Sequence, residues 1–96
     1  MEIILNKGEK SERTLVMARK KARFVREALK VQEDILKTKT GEELNAILSV
    51  VVKWYDDLSI DDVYDGIYSD ELTAFILNSA QFIISGTLAI IQSKND

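Results

Sequence analysis

The fold of this chain is decided by the stretch LTAFILNSAQFIISGTLAIIQS, residues 72–93, in which 22 consecutive positions carry no charge. Placed on a helix, its apolar side chains cover an arc of roughly 200°, about twice the width that a surface helix needs. A chain of 96 residues has few other elements with which to cover both sides of such a helix. We therefore expect a partner to cover one side, which would otherwise be an exposed apolar patch. The alternative is a central helix wrapped wholly by its own chain.

The length of this uncharged stretch also suggests a membrane-spanning helix, which needs about 20 apolar residues. Six small or polar residues dilute the stretch, however: Asn78, Ser79, Gln81, Ser85, Gly86 and Thr87. It is also not flanked by the cluster of lysines and arginines or the aromatic belt that marks a membrane interface. We predict that the helix packs against protein and that the chain does not enter a membrane.

The remaining pattern predicts a single domain over residues 1–96 that is mainly α, with three to four helices. Helical spacing of apolar residues and capping signals place these helices at 20–38, 42–56, 60–65 and 70–93. Thr40 with Glu43 fits a capping box, and Ser59 fits the N-cap of the short helix. Gly66 fits a C-terminal cap, and Ser69 fits the N-cap of the last helix. Trp54 and Tyr55, late in the second helix, are interpreted as core or rim residues.

The first 17 residues contain two short apolar runs separated by turn residues. This pattern is typical of a β-hairpin, but the segment between the runs is polar. An isolated two-stranded hairpin is marginally stable in water. We therefore leave two predictions open for residues 1–17, a short hairpin and an arm that orders on contact with another subunit.

Composition excludes most catalytic chemistry. The chain has no cysteine and no histidine, so it lacks thiolate nucleophiles, the most common general base and the most common metal ligands. Its four glycines occur singly and form no phosphate-binding loop. Within the acidic segment 56–66, an EF-hand alignment starting at Asp61 puts Val63 and Leu72 where oxygen ligands are required. We predict no catalytic residues, metal or cofactor. The absence of cysteines and of a secretory pattern at the start favours the cytoplasm.

Charge is distributed unevenly along the chain. Residues 1–40 hold 11 Lys and Arg against 6 Asp and Glu, whereas residues 41–96 hold 2 against 10, so the parts carry net charges of +5 and −8. The predicted first helix presents a basic face formed by Arg19, Arg23, Arg26 and Lys30. We expect this face to be solvated or to meet acidic residues of the same or a neighbouring chain. Binding to nucleic acid is less favoured, because the sequence pI is 5.0 and nucleic-acid-binding domains are usually basic overall.

Two segments together resemble a known family. They are VREALKVQE at residues 25–33 and SIDDVYDGIYSDEL at residues 59–72. In order and spacing they resemble the tail assembly chaperones of long-tailed phages and prophages of Gram-positive bacteria. The resemblance covers roughly residues 20–75, and its most specific part is the segment from Asp61 to Leu72.

The resemblance implies a non-enzymatic factor in the cytoplasm of the bacterial host. Such a factor binds the tape-measure protein, keeps this long apolar helical chain soluble and presents it for polymerisation of the tail tube. The expected partners are therefore the tape-measure protein and further copies of the chain, with the tail tube protein as a further candidate. On the last helix we predict a partner-binding stripe formed by Phe75, Ile76, Phe82, Ile83 and Ile90. The alternatives are a small nucleic-acid-binding regulator that uses the basic face and a structural adaptor that remains in a finished complex.

Overall fold

The computed structural model describes residues 1–95, with side chains described for residues 1–85. Within this range the chain is mainly α-helical, as the sequence predicted, and it begins with a two-stranded antiparallel hairpin. The strands are β1 (Glu2–Leu5) and β2 (Arg13–Val16), and the helices are α1 (Arg23–Ile35), α2 (Gly41–Val51), α3 (Ile60–Gly66) and α4 (Leu72–Asn95). Single 3₁₀ turns at Val52–Trp54 and Ser69–Glu71 follow α2 and precede α4.

Helix α1 is shorter than the predicted range 20–38. It begins at Arg23, and the preceding Ala22 makes no side-chain capping hydrogen bond. Residues 19–21 are all basic, and positive charge is unfavourable at the positive end of a helix dipole. The predicted basic face is therefore broken, because Arg19 precedes the helix on which Arg23, Arg26 and Lys30 lie.

Helix α2 begins at the predicted cap. The Glu43 backbone N–H donates to the Thr40 hydroxyl at 3.2 Å, while the Glu43 carboxylate accepts from that hydroxyl at 3.2 Å. The helix ends earlier than the predicted residue 56, since it tightens into a 3₁₀ turn and Tyr55 is extended. Trp54 and Tyr55, which lie at this change of backbone, are both buried, so of the two predicted positions, core or rim, they occupy the core.

The N-terminal hairpin packs against α3. Its register pairs Ile3 with Leu15 and Leu5 with Arg13, so Ile3 and Leu5 face the core. At the end of β1 the Asn6 backbone N–H donates to the Gly66 carbonyl oxygen at 2.8 Å. Residues 1–17 thus form a hairpin that the rest of the chain supports, one of the two alternatives left open by the sequence.

Gly66 is required for close packing and not, as predicted, for a C-terminal cap. It is the last residue of α3 and does not have the positive φ typical of a glycine cap. A Cβ atom at this position would lie 3.0 Å from the Leu5 Cβ atom. The glycine therefore lets β1 approach the end of α3.

Helix α4 packs against α1 and α2. A 3₁₀ turn over Ser69–Glu71 precedes it, so Ser69 does not act as its N-cap and no side-chain cap is formed at this turn. Most apolar side chains between residues 72 and 85 are buried by the chain itself. None of the helices in the described part of the chain is long and apolar enough to span a membrane.

Candidate protein-binding site

The structure separates the five residues of the predicted partner-binding stripe. Phe75, Ile76 and Ile83 lie in the core with exposures of 6%, 0% and 9%, whereas Phe82 is 37% exposed. The side chain of Ile90 lies outside the described residues. Phe82 is thus the member of the stripe within residues 1–85 that a partner can reach without unfolding the chain.

A shallow apolar groove lies between the hairpin and α4. It has a volume of about 310 Å³ and is called the hairpin–α4 groove below. Its apolar lining consists of Met1, Ile3, Ile4, Ile67, Ala74 and Phe75. Phe82 lies on the same face of α4 as the groove, since it follows the lining residues Phe75 and Asn78 by seven and four positions. The predicted residues Phe75 and Phe82 therefore belong to one surface.

The hairpin contributes apolar surface that sequence reasoning missed. Ile4 is 42% exposed and Val16 is 58% exposed, because both point away from the side of the hairpin that buries Ile3 and Leu5. A signal was present in the sequence, since three consecutive apolar residues at 3–5 cannot all face one side of a strand.

A buried hydrogen-bond network holds Phe75 in the floor of the groove. The Tyr55 and Phe75 rings are tilted by 30°, with centroids 6.0 Å apart. The Ser79 hydroxyl donates to the Phe75 carbonyl oxygen at 2.7 Å, so the Tyr55 hydroxyl donates to Ser79 Oγ, also at 2.7 Å. Burial raises the pKa of Tyr55, and the hydrogen bond with Ser79 opposes this only in part. Tyr55 therefore remains a protonated donor under physiological conditions.

The charged side chains that line this groove are both acidic. They are Glu2 on β1 and Glu71 immediately before α4, and both are exposed. Neither forms a salt bridge within residues 1–85. The Met1 amino group lies 3.5 Å from the Met17 carbonyl oxygen, to which it donates. The groove thus combines an apolar floor with two free carboxylates at its edge.

A second groove lies between α1 and α2, with a volume of about 350 Å³. Val31, Ala46, Ile47 and Val50 supply its apolar lining, while Glu27, Lys30, Asp34, Lys37 and Glu43 supply charges of both signs. Two salt bridges lie along and just after α1, between Lys30 and Asp34 at 3.3 Å and between Lys37 and Glu33 at 3.0 Å. The lining of this groove thus holds three carboxylates and two ammonium groups, and both ammonium groups are already paired.

The basic residues around the start of α1 are exposed or half-buried and form a separate cluster. Within residues 1–85, Arg19, Lys20, Lys21, Arg23 and Arg26 make no salt bridge. The Lys20 Nζ and Arg23 Cζ atoms lie 5.7 and 5.4 Å from the Phe24 ring centroid. This arrangement covers part of the aromatic ring with cationic side chains.

Within residues 1–85, one salt bridge joins the basic and acidic parts of the chain. Arg13 on β2 lies 2.9 Å from Asp62 on α3. Asp62 also accepts from the Ser59 backbone N–H and completes a capping box. The hydrogen bonds with Ser59 are the main cause that lowers the pKa of Asp62, and Arg13 lowers it further. The predicted charge complementarity within the chain is therefore present at this pair, whereas the basic residues near α1 do not take part in it.

The acidic segment does not form a metal centre in the described part of the chain. No group of three or more Asp or Glu residues there is arranged to hold a metal ion. Asp62 is engaged by Ser59 and Arg13, as expected for a carboxylate in the first turn of a helix. The exposed apolar and charged surfaces described above are candidates for binding other macromolecules.

Comparison with known proteins agrees with this interpretation. The family described as phage tail chaperone protein matches the chain over residues 1–96. No curated protein and no solved structure matches it. The family match extends the resemblance from the two quoted segments to the whole sequence, including the hairpin and α4. The chain belongs to the phage tail chaperone family.

Proposed function

We propose that this chain is a non-enzymatic tail assembly chaperone that binds the tape-measure protein and keeps it soluble while the tail is built. The observation that carries the proposal is membership of the phage tail chaperone family over the whole sequence. Tail chaperones act on other tail proteins, and a long apolar helical client needs its exposed surface covered before assembly. The expected place of action is the cytoplasm of the bacterial host.

The exposed apolar surface of the chain supports this function. Phe82 and Ile4 lie at or beside a groove whose floor is apolar, and an amphipathic helix can bind such a groove through residues at i, i+3, i+4 and i+7. Each subunit offers a small surface, so several copies would be needed to cover a long client. We therefore also propose self-association on the client, Ile90 as a further contact residue and the tail tube protein as a later partner.

Co-expression with the tape-measure protein encoded beside this chain tests the proposal. The soluble fraction of the tape-measure protein is compared with the native chain, with no chaperone and with Phe82→Asp. We expect the native chain to raise the soluble fraction and to co-purify with the client, and Phe82→Asp to reduce both effects. Leu36→Asp is the matched control, because Leu36, which directly follows α1, is 79% exposed and is not part of the hairpin–α4 groove. An unchanged soluble fraction with the native chain would reject the chaperone function.

The basic cluster supports a second candidate, a nucleic-acid-binding regulator. Five cationic side chains without a salt bridge in the described region could contact phosphates. Such binding would weaken steeply as salt increases. DNA binding that is lost at 200 mM salt and in Arg23→Glu, together with no effect on the client, would favour this candidate.

A further inference from the structure

We propose that the hairpin–α4 groove recognises a client helix whose apolar stripe is flanked by lysine or arginine. This inference rests on the proposed chaperone function and adds the site and the chemistry that the site selects. Along α4 the groove lining begins at Ala74, and Phe82 lies eight residues further on. This surface is therefore about 12 Å long at the helical rise per residue. That length corresponds to about two helical turns, enough for three anchor residues of a docked helix.

The apolar part of the surface is already formed before a partner binds. Phe75 packs against the Tyr55 ring and its carbonyl oxygen accepts from Ser79. Ile67, which directly follows α3, also lines the groove. Ile4 on the hairpin is 42% exposed, and Phe82, four residues beyond Asn78 on α4, is 37% exposed. A preformed apolar floor with exposed apolar sides favours insertion of apolar side chains, since fewer groups must be ordered on binding.

The two carboxylates at the edge of the groove favour an occupant with positively charged residues beside its apolar stripe. Glu2 and Glu71 are exposed, line the groove and lack a salt bridge within residues 1–85. Cationic side chains beside an apolar stripe would meet these carboxylates, whereas acidic ones would be repelled. The groove between α1 and α2 differs in this respect, because its charges are of both signs and partly paired.

A second copy of this chain fits the groove less well than a separate helix. The cationic residues of the chain are concentrated around Phe24 and Val25, and both of these apolar side chains are half-buried against the core. They could not enter the groove of another copy without leaving their own core. Leu29, the exposed apolar residue of α1 at 48%, lies between Arg26 and Lys30. It supplies one anchor, however, whereas the groove has room for about three. The occupant we infer is therefore a helix of the client.

Two synthetic helical peptides with the same leucine stripe test the inference, one flanked by lysines and one by glutamates. Binding to the full chain is measured by fluorescence anisotropy at about 50 mM salt. Exposed ion pairs contribute about 0.2–1 kcal/mol each, or roughly 1.4- to 5-fold in affinity. With two carboxylates we expect the native chain to prefer the lysine-flanked peptide by about tenfold. Glu2→Lys with Glu71→Lys should reverse this preference.

Two controls separate the groove from general effects of charge and stability. Asp56→Lys with Asp65→Lys makes the same change in net charge at exposed positions outside the groove and should keep the preference for lysine. Phe82→Ser should weaken both peptides, whereas Leu36→Ser should not. Circular dichroism and thermal unfolding of each variant verify that its fold is retained.

The inference is overturned if reversal at Glu2 and Glu71 leaves the peptide preference unchanged, or if the control pair reverses it equally. It is also overturned if the groove variants change the sedimentation of the chain alone but not peptide binding, because the groove would then be an interface between copies. These outcomes are distinct from failure of the chaperone function. A chain that still solubilises the tape-measure protein after the charge reversal would retain the function and reject this site.

Discussion

Replacement of Ser79 should destabilise the protein more than removal of the tyrosine hydroxyl with which it pairs. In Ser79→Ala the buried Tyr55 hydroxyl loses its acceptor, and the Met1 sulfur at 3.7 Å is only a weak substitute. An unsatisfied buried hydroxyl costs about 1–3 kcal/mol. In Tyr55→Phe the Ser79 hydroxyl still donates to the Phe75 carbonyl oxygen, so the expected cost is the net value of one hydrogen bond, about 0.5–1.5 kcal/mol.

The double variant Ser79→Ala with Tyr55→Phe tests the predicted asymmetry between the two hydroxyls. With both hydroxyls removed, no buried donor is left without an acceptor. The double variant should therefore lose about 1 kcal/mol less stability than the sum of the losses of the two single variants. In a domain of this size each kcal/mol shifts the melting temperature by roughly 4–8 °C. Urea unfolding followed by the fluorescence of Trp54, the single tryptophan, measures all three variants. Equal free-energy costs for the two single variants would refute the asymmetry. A double variant whose cost equals the sum of the two single costs would refute it as well.

The same pair predicts a difference at alkaline pH. Because burial raises the pKa of Tyr55 in the folded state, its contribution to stability is fully present below pH 10, the ordinary pKa of tyrosine. The contribution is lost as the pH rises through the folded-state pKa. Tyr55→Phe should therefore lose less stability than the native chain above pH 10. Tyr64 and Tyr68 are present in both proteins, so the difference between the two proteins isolates Tyr55.

Three further changes test how the elements are joined. Gly66→Val should force β1 away from α3 through contact with Leu5, at a cost of about 1–3 kcal/mol; thermal unfolding measures it, and an unchanged melting temperature would contradict the close-packing role. Thr40→Ala should cost about 1 kcal/mol through loss of the α2 cap, while Thr40→Ser should restore stability in the same assay. Asp62→Asn should destabilise the protein at pH 7. Since the Ser59 backbone N–H lowers the pKa of Asp62, the stabilisation by its charge is present above the ordinary carboxyl pKa and lost as the pH falls through the folded value. The difference from the native chain in urea midpoint should thus shrink below about pH 4, and a constant difference would oppose this account.

Local signals in the sequence were sufficient to predict the helical elements. Thr40 and Ser59 both accept the hydrogen bonds expected of N-cap residues, and α2 and α3 begin directly after them. Capping is predictable because donor and acceptor lie within three residues of each other. The start of α1 was predicted less accurately, since the apolar row itself begins at Phe24 and Ala22 supplies no side-chain cap that would mark the boundary.

Contacts between distant residues could not be predicted in the same way. The hairpin is attached through Asn6 to Gly66, Arg13 to Asp62 and the Tyr68 hydroxyl to the Lys7 carbonyl oxygen. Each pair is separated by at least 49 positions, so local periodicity carries no information about it. The role of Gly66 was misassigned for this reason, because its requirement comes from Leu5 and not from its own helix.

The same limit explains why the predicted partner-binding stripe was divided. A helical projection showed that α4 is apolar over a wide arc, but it could not show which part the chain itself would cover. Tyr55, placed by the early end of α2, reaches Ser79 and Phe75 and covers that side of the arc. Phe82 lies beyond this contact and remains accessible. A partner that binds α4 within residues 72–85 therefore meets Phe82 together with the hairpin, and recognition of that partner depends on β1 as well as on the apolar helix.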